Sequence, residues 1–119
     1  MGIIEDALAR QAARPAPRRI DYDRMNRVMP GQKAALTRAV NAYKAIPDPR
    51  DVKAGPGFGD RYEAAVEGRA KAAEKIAAVC KAAVAEWNEI GAWPDQWATW
   101  QIALNDCLPL YQQIDLRDL

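Results

Sequence analysis

The chain has 119 residues, 17 Lys and Arg against 16 Asp and Glu, and a formal net charge of +1. It contains no histidine, which removes the commonest general base and the commonest metal ligand. Two cysteines alone make a poor zinc site and no disulfide framework, so the composition points away from metalloenzymes and secreted disulfide scaffolds. We therefore expect no catalytic residues, no metal, no cofactor and no enzyme activity, and we expect Cys80 and Cys107 to be reduced and buried.

No stretch of about 18 apolar residues is present, so no membrane span is expected. The start, Met-Gly-Ile-Ile-Glu-Asp, lacks a secretory pattern, and Asp6 stands where a myristoylation signal wants Ser or Thr. The expected location is the cytoplasm, that of a host cell if the chain is phage-encoded.

Residues 3–13 read as a short amphipathic helix with Ile4, Leu8 and Gln11 or Ala12 on one face. Isolated helices shorter than about 12–15 residues are marginal in water, so this one needs a surface to dock on. Residues 14–19, Arg-Pro-Ala-Pro-Arg-Arg, carry two prolines in alternate positions and read as an extended basic arm. Asp21 can cap a turn over Tyr22–Met29, and Pro30-Gly31 then interrupts the chain. This sets a division into 1–31, an N-terminal helix and basic arm, and 32–119, a helical bundle.

Residues 32–45 place Leu36, Val40 and Tyr43 at helical spacing, and Pro47-Asp48-Pro49 ends that helix. The Pro- and Gly-rich stretch 47–59 reads as a loop with Phe58 tucked into the core. Its glycines lack the Walker spacing of a phosphate loop. Residues 60–90 form the clearest element, with Asp60 as N-cap and Glu63 three residues on. Tyr62, Val66, Arg69, Ala73, Ile76, Cys80, Ala83, Trp87 and Ile90 alternate spacings of four and three, a seven-residue repeat. Such a stripe belongs to a helix packed at a shallow angle along a neighbour. Gly68 marks a tight contact or a bend. Gly91 should end this helix in a left-handed conformation, and Pro94 should sit in the first turn of the next. Trp93, Trp97, Trp100, Leu104 and Cys107 continue the same alternation, so 60–107 reads as a helical hairpin. Pro109 stops the second helix. The apolar tail, with Leu110, Ile114, Leu116 and Leu119, should pack back or bind something. The expected fold is all-α: a small bundle built on a long helical hairpin, with an extended basic N-terminal arm and the helix 32–45 laid across the hairpin.

Charge is split along the chain. Between Arg10 and Lys44 nine basic residues face two acids, whereas from Glu86 to the end six acids face one arginine. The basic part can clasp an acidic surface on a host protein or a neighbouring copy, or track nucleic-acid phosphates. Only Tyr22 and Tyr43 accompany it, so no stacking platform for single strands is evident. The candidate partner-binding residues are Arg14, Arg18, Arg19, Arg24, Arg27, Trp93 and Trp97. Trp is enriched at interface hot spots, and Trp93 stands at the turn, where burial is hardest.

The segment Glu86-Trp87-Asn88-Glu89-Ile90-Gly91-Ala92-Trp93-Pro94-Asp95-Gln96-Trp97-Ala98-Thr99-Trp100-Gln101 resembles one found in small uncharacterised proteins of actinobacteria and their phages. The resemblance covers residues 60–107, rests on the Trp-Pro-Asp-x-Trp-x-x-Trp core, and transfers no active site. The Trp-x-Gly motif of a class of small secreted helical-hairpin proteins is missing at the turn. The expected function is a non-enzymatic protein-interaction module, phage-encoded, binding a host protein or self-assembling through its basic arm and Trp/Leu surface. The alternatives are a nucleic-acid-binding accessory protein using the Arg-rich region, a virion structural component, and a helical oligomer that holds a phosphorylated small ligand.

Overall fold

The computed structural model describes residues 19–108 and 113–119. The expectations for the helix at 3–13, for Arg14 and Arg18, and for Pro109 and Leu110 lie outside the described residues. Among the described residues the fold is all-α. Three helices, α1 (Tyr22–Ala45), α2 (Phe58–Ile90) and α3 (Trp97–Cys107), are joined by short turns, with single 3-10 turns at Pro49–Asp51 and Leu116–Asp118.

α1 starts where Asp21 caps it, its carboxylate accepting the Arg24 N–H at 3.0 Å. It does not stop at Pro30-Gly31 but runs through both, so residues 22–31 continue into the helix expected at 32–45. A proline inside a helix costs about 3 kcal/mol. Burial on both sides of it offsets this: Met25 precedes Pro30 and Leu36 follows it, and both are in the core. Pro30 itself faces outward, so the carbonyl it leaves without a donor can turn to water.

α2 is the spine, about 50 Å long at 1.5 Å per residue. Its N-cap is Gly57, at φ 76, not Asp60, which instead lies in the first turn beside the positive end of the dipole. α1 runs antiparallel along α2 instead of across it. At one end the Asp21 N–H donates to the Ile90 carbonyl at 3.1 Å. At the other, Gly68 lets Ile46 approach so closely that a Cβ there would meet its Cγ2 at 3.3 Å. Gly68 therefore marks a tight contact. Arg69 secures the same end: its guanidinium donates to the Ile46 carbonyl at 3.1 Å, lies 4.7 Å over the Tyr43 ring and faces Asp48 at 3.7 Å.

Gly91 ends α2 at φ 94, its N–H donating to the Trp87 carbonyl at 2.9 Å. The chain reverses, but Pro94 is not inside the next helix. Its carbonyl accepts the Trp97 N–H at 3.0 Å in the turn that leads into α3. α3 returns along α2 and buries Trp100, Leu104 and Cys107 against Ile76, Cys80, Val84 and Trp87. It ends at Cys107, with Leu108 already extended, as expected of a chain approaching Pro109. The tail packs back: Leu116 is fully buried, and Gln101 grips the segment by donating to the Ile114 carbonyl (2.9 Å) and accepting the Leu116 N–H (2.8 Å).

Trp87 is the keystone. Its ring contacts Trp93 at 5.4 Å and stands edge-to-face with Trp100 at 5.1 Å, and its Nε1–H donates to Gln32 of α1 at 2.9 Å. One buried side chain thus joins all three helices and the turn, in a core otherwise lined by many alanines. No helix among the described residues is long and apolar enough to cross a membrane.

Candidate functional site

The basic stretch and the acidic stretch meet inside the molecule. Because α1 starts where α2 ends, Arg24 lies beside the last turns of α2, where its Nε donates to Glu86 at 2.8 Å and its Nη2 to Glu89 at 2.7 Å. Hydrogen bonding to these two carboxylates raises its pKa further above the ordinary guanidinium value. Arg24, a candidate partner-binding residue, is engaged within the fold. Any outside anion must compete with two carboxylates at hydrogen-bonding distance.

The other candidates stay at the surface. Arg19 and Arg27 are exposed, as are Lys33 and Arg38 further along α1, and none makes an ion pair to another described residue. Arg27 borders an open groove between α1 and α2, about 510 Å³, whose floor is Val28, Ala35, Val79 and Ala83. Trp93 does not project as expected. It is half-buried against Trp87, with Nε1–H donating to Asn88 at 3.0 Å. Trp97 is the more open, at 38% exposure, with its ring edge-on to Trp93 at 5.7 Å. Beside it lies a shallow groove formed with Gln101, Asn105 and Ile114.

A further exposed apolar stripe lies elsewhere. Phe58 (40%), Tyr62 (43%) and Val66 (42%) run down the first turns of α2, with the rings of Phe58 and Tyr62 5.8 Å apart. Phe58, expected in the core, is in fact half open. The cause is a mismatch of lengths. The seven-residue stripe of α2 extends from Tyr62 to Ile90, but α3 has only 11 residues and covers its lower half. The signal was present in the sequence as nine stripe positions on one helix against five in the segment paired with it. Below Val66 the stripe opens into a cleft of about 670 Å³ among Tyr43, Arg69, Ala73, Ala77 and Leu108.

Reactive chemistry is muted here. Both cysteines are free and buried, as expected. Desolvation, with a smaller effect from Cys107, pushes the Cys80 thiol up to about 12, and burial likewise raises Cys107. Neither is a thiolate near neutral pH, so neither is a poised nucleophile. Asp48 and Asp115 are held down at about 2 by the side chains of Arg50 and Arg117, which they also cap through backbone N–H groups. These are local Asx turns at 3-10 N-termini, not acid–base pairs. Among the described residues no cluster of carboxylates and thiols could hold a metal ion.

Compared with known proteins, the chain matches no family model, no curated protein sequence and no solved structure.

Proposed function

We propose that this chain is a non-enzymatic protein-interaction module that acts through exposed apolar surfaces on a rigid helical frame. The observation that carries the reading is the placement of large apolar side chains at both ends of α2. Phe58, Tyr62 and Val66 lie at one end, and Trp97 and Ile114 at the other, each 38% exposed or more. Scattered exposed apolar groups are ordinary, but a continuous stripe of aromatic and branched side chains on one helix face fits a binding surface. The Trp-Pro-Asp-x-Trp-x-x-Trp resemblance supports a phage or actinobacterial source and hence a role in the host cytoplasm.

Nucleic-acid binding is the second reading, favoured by exposed Arg19, Arg27, Lys33 and Arg38 and disfavoured by the internal engagement of Arg24. Size-exclusion chromatography with light scattering, at low and high salt, separates the two. A module anchored by apolar side chains forms an oligomer, or a stoichiometric complex with a purified partner, that survives added salt and weakens in Trp97→Ala or Tyr62→Ala. A chain that stays monomeric, and instead binds DNA or RNA with affinity falling steeply with salt, overturns the proposal.

A further inference from the structure

The open groove between α1 and α2, about 510 Å³, is lined by those two helices alone. Its surroundings are charged with one sign. α1 carries no acid after Asp23, and α2 none between Glu74 and Glu86, whereas the same stretches hold five basic residues on α1 and two on α2. Helical spacing puts three of these on the groove. Arg27 lines it directly. Arg38 stands three residues past Ala35 and seven past Gly31, and Lys75 stands four before Val79 and seven before Ala82, so each continues one wall. The antiparallel register, set by Gln32 on Trp87 and Ile46 on Gly68, brings Arg38 and Lys75 to the same end. By the same spacing Lys33, Lys44 and Lys81 lie on other faces.

Arg27, Arg38 and Lys75 are exposed and form no ion pair with another described residue. The acids near them stand at the two ends. Glu86 and Glu89 are both bonded to Arg24, and Asp23 lies one turn before Arg27. Glu74 adjoins Lys75, and beyond them Lys71 has Glu67 four residues before it. Between those ends the rim is positive and the floor is apolar, formed by Val28, Ala35, Val79 and Ala83. Nucleic-acid phosphates gain nothing from such a floor. A helix with one apolar face and acidic edges gains from both floor and rim. Charge argues against a piece of this chain as the occupant. Residues 1–18 carry two acids against three arginines, and in the acidic C-terminal part Glu86, Glu89 and Asp115 are bound by arginines of their own fold.

We infer that this groove receives an acidic amphipathic helix of a protein partner, with its apolar face on Val28, Ala35, Val79 and Ala83 and its carboxylates against Arg27, Arg38 and Lys75. Arg27 and Arg38 stand about 17 Å apart along α1, so the acids of the partner helix are spread over about three turns. The inference rests on the proposed interaction role and adds to it a surface distinct from Tyr62 and Trp97.

The test is fluorescence anisotropy on the full chain with labelled synthetic peptides of about five helical turns. One is an amphipathic helix of Leu, Ala and Glu, the second has Lys for every Glu, and the third has Gln for every Leu; a DNA duplex is the fourth probe. The first should bind, and each of the others should bind at least about tenfold more weakly. Arg27→Glu/Arg38→Glu and Ala82→Glu change exposed positions, so helicity at 222 nm should hold while affinity for the first peptide falls about tenfold or more. Tyr62→Ala/Trp97→Ala should bind it as the unchanged chain does. No binding of the first peptide, equal binding of the lysine peptide, or indifference to reversal at Arg27 and Arg38 overturns the inference. Equal binding of the glutamine peptide or the duplex overturns it in favour of a plain polyanion surface. Glu5→Lys/Asp6→Lys that strengthens binding tenfold overturns it in favour of the chain's own acids on the rim. Self-association abolished by Arg27→Glu/Arg38→Glu overturns it in favour of a second copy. In each case the interaction role stands as long as complexes sensitive to Tyr62→Ala or Trp97→Ala persist, and falls if they do not.

Discussion

Trp87 and Trp100 offer a comparison in which area cancels and hydrogen bonding remains. Both are at most 1% exposed, and each stands against the other's ring. They differ at one atom. The Trp87 Nε1–H donates to Gln32, whereas the Trp100 Nε1 is buried with no partner among the described residues. Replacing either by Phe removes a similar volume, at a shared cost of about 2 kcal/mol from lost apolar contact and residual cavity. Trp87→Phe adds the loss of a satisfied hydrogen bond, about 1 kcal/mol. Trp100→Phe instead removes an unsatisfied buried donor, whose desolvation costs about 1–3 kcal/mol in the native state. The expected difference is therefore about 2–4 kcal/mol, with Trp87→Phe the more harmful. At roughly 4 °C per kcal/mol for a chain of this size, the two variants should melt about 8–16 °C apart. Urea unfolding followed by circular dichroism gives both free energies. Gln32→Ala serves as a control and should lower stability by about 1–3 kcal/mol, since it strands the Trp87 donor. Equal costs for the two Phe variants, or a larger cost at Trp100, would refute the reasoning. That outcome would mean that the face of Trp87 satisfies the Trp100 N–H, as an aromatic ring can do weakly.

Gly91→Ala places a Cβ at φ 94 and should cost about 1–2 kcal/mol, read as a lower urea midpoint with an unchanged slope. Cys80 and Cys107 should resist a thiol reagent at pH 8 in the native protein and both react once guanidinium unfolds it; fast native reaction would contradict their burial. The Cys80 pKa is raised from 9.0 to about 12, so its contribution is fully present below pH 9 and fades as pH climbs toward 12. Asp48 and Asp115 work in the opposite direction. With pKa values lowered from 3.8 to about 2, their contribution is present above pH 3.8 and is lost as pH falls through about 2. Carboxyl carbon shifts followed by NMR between pH 1 and 5 should show both midpoints well below those of exposed aspartates in the same spectrum.

The lower half of the molecule was legible in the sequence because period and punctuation agree there. The alternation from Ala73 to Ile90 and from Trp100 to Cys107, with Gly91 between, specifies a hairpin with its core residues, and those residues are the buried ones. Pro30 was misleading because its penalty is local, whereas the burial of Met25 and Leu36 on either side comes from tertiary contact. Asp60 looked like a cap because it fits a cap motif, yet Gly57 can turn the chain one residue before Phe58 at a φ that side chains avoid. Arg24 shows the limit most clearly. Its cluster reads as a free basic surface until antiparallel packing brings residues 62 and 65 positions away against it.

The same packing explains why the exposed surface lies where it does. An alanine-rich core lets helices come close but supplies little area per residue, so stability is concentrated where the tryptophans and Leu104 lie. α3 ends at Cys107, and the upper turns of α2 are left with Ala65 buried near Ile46 and Val52 while Phe58, Tyr62 and Val66 stay open. A helix extended past its partner loses by exposing that face unless something covers it. Charged residues at those three positions would have kept the helix and removed the liability. Instead, Phe58, Tyr62 and Val66 keep the stripe apolar along the turns that α3 does not reach.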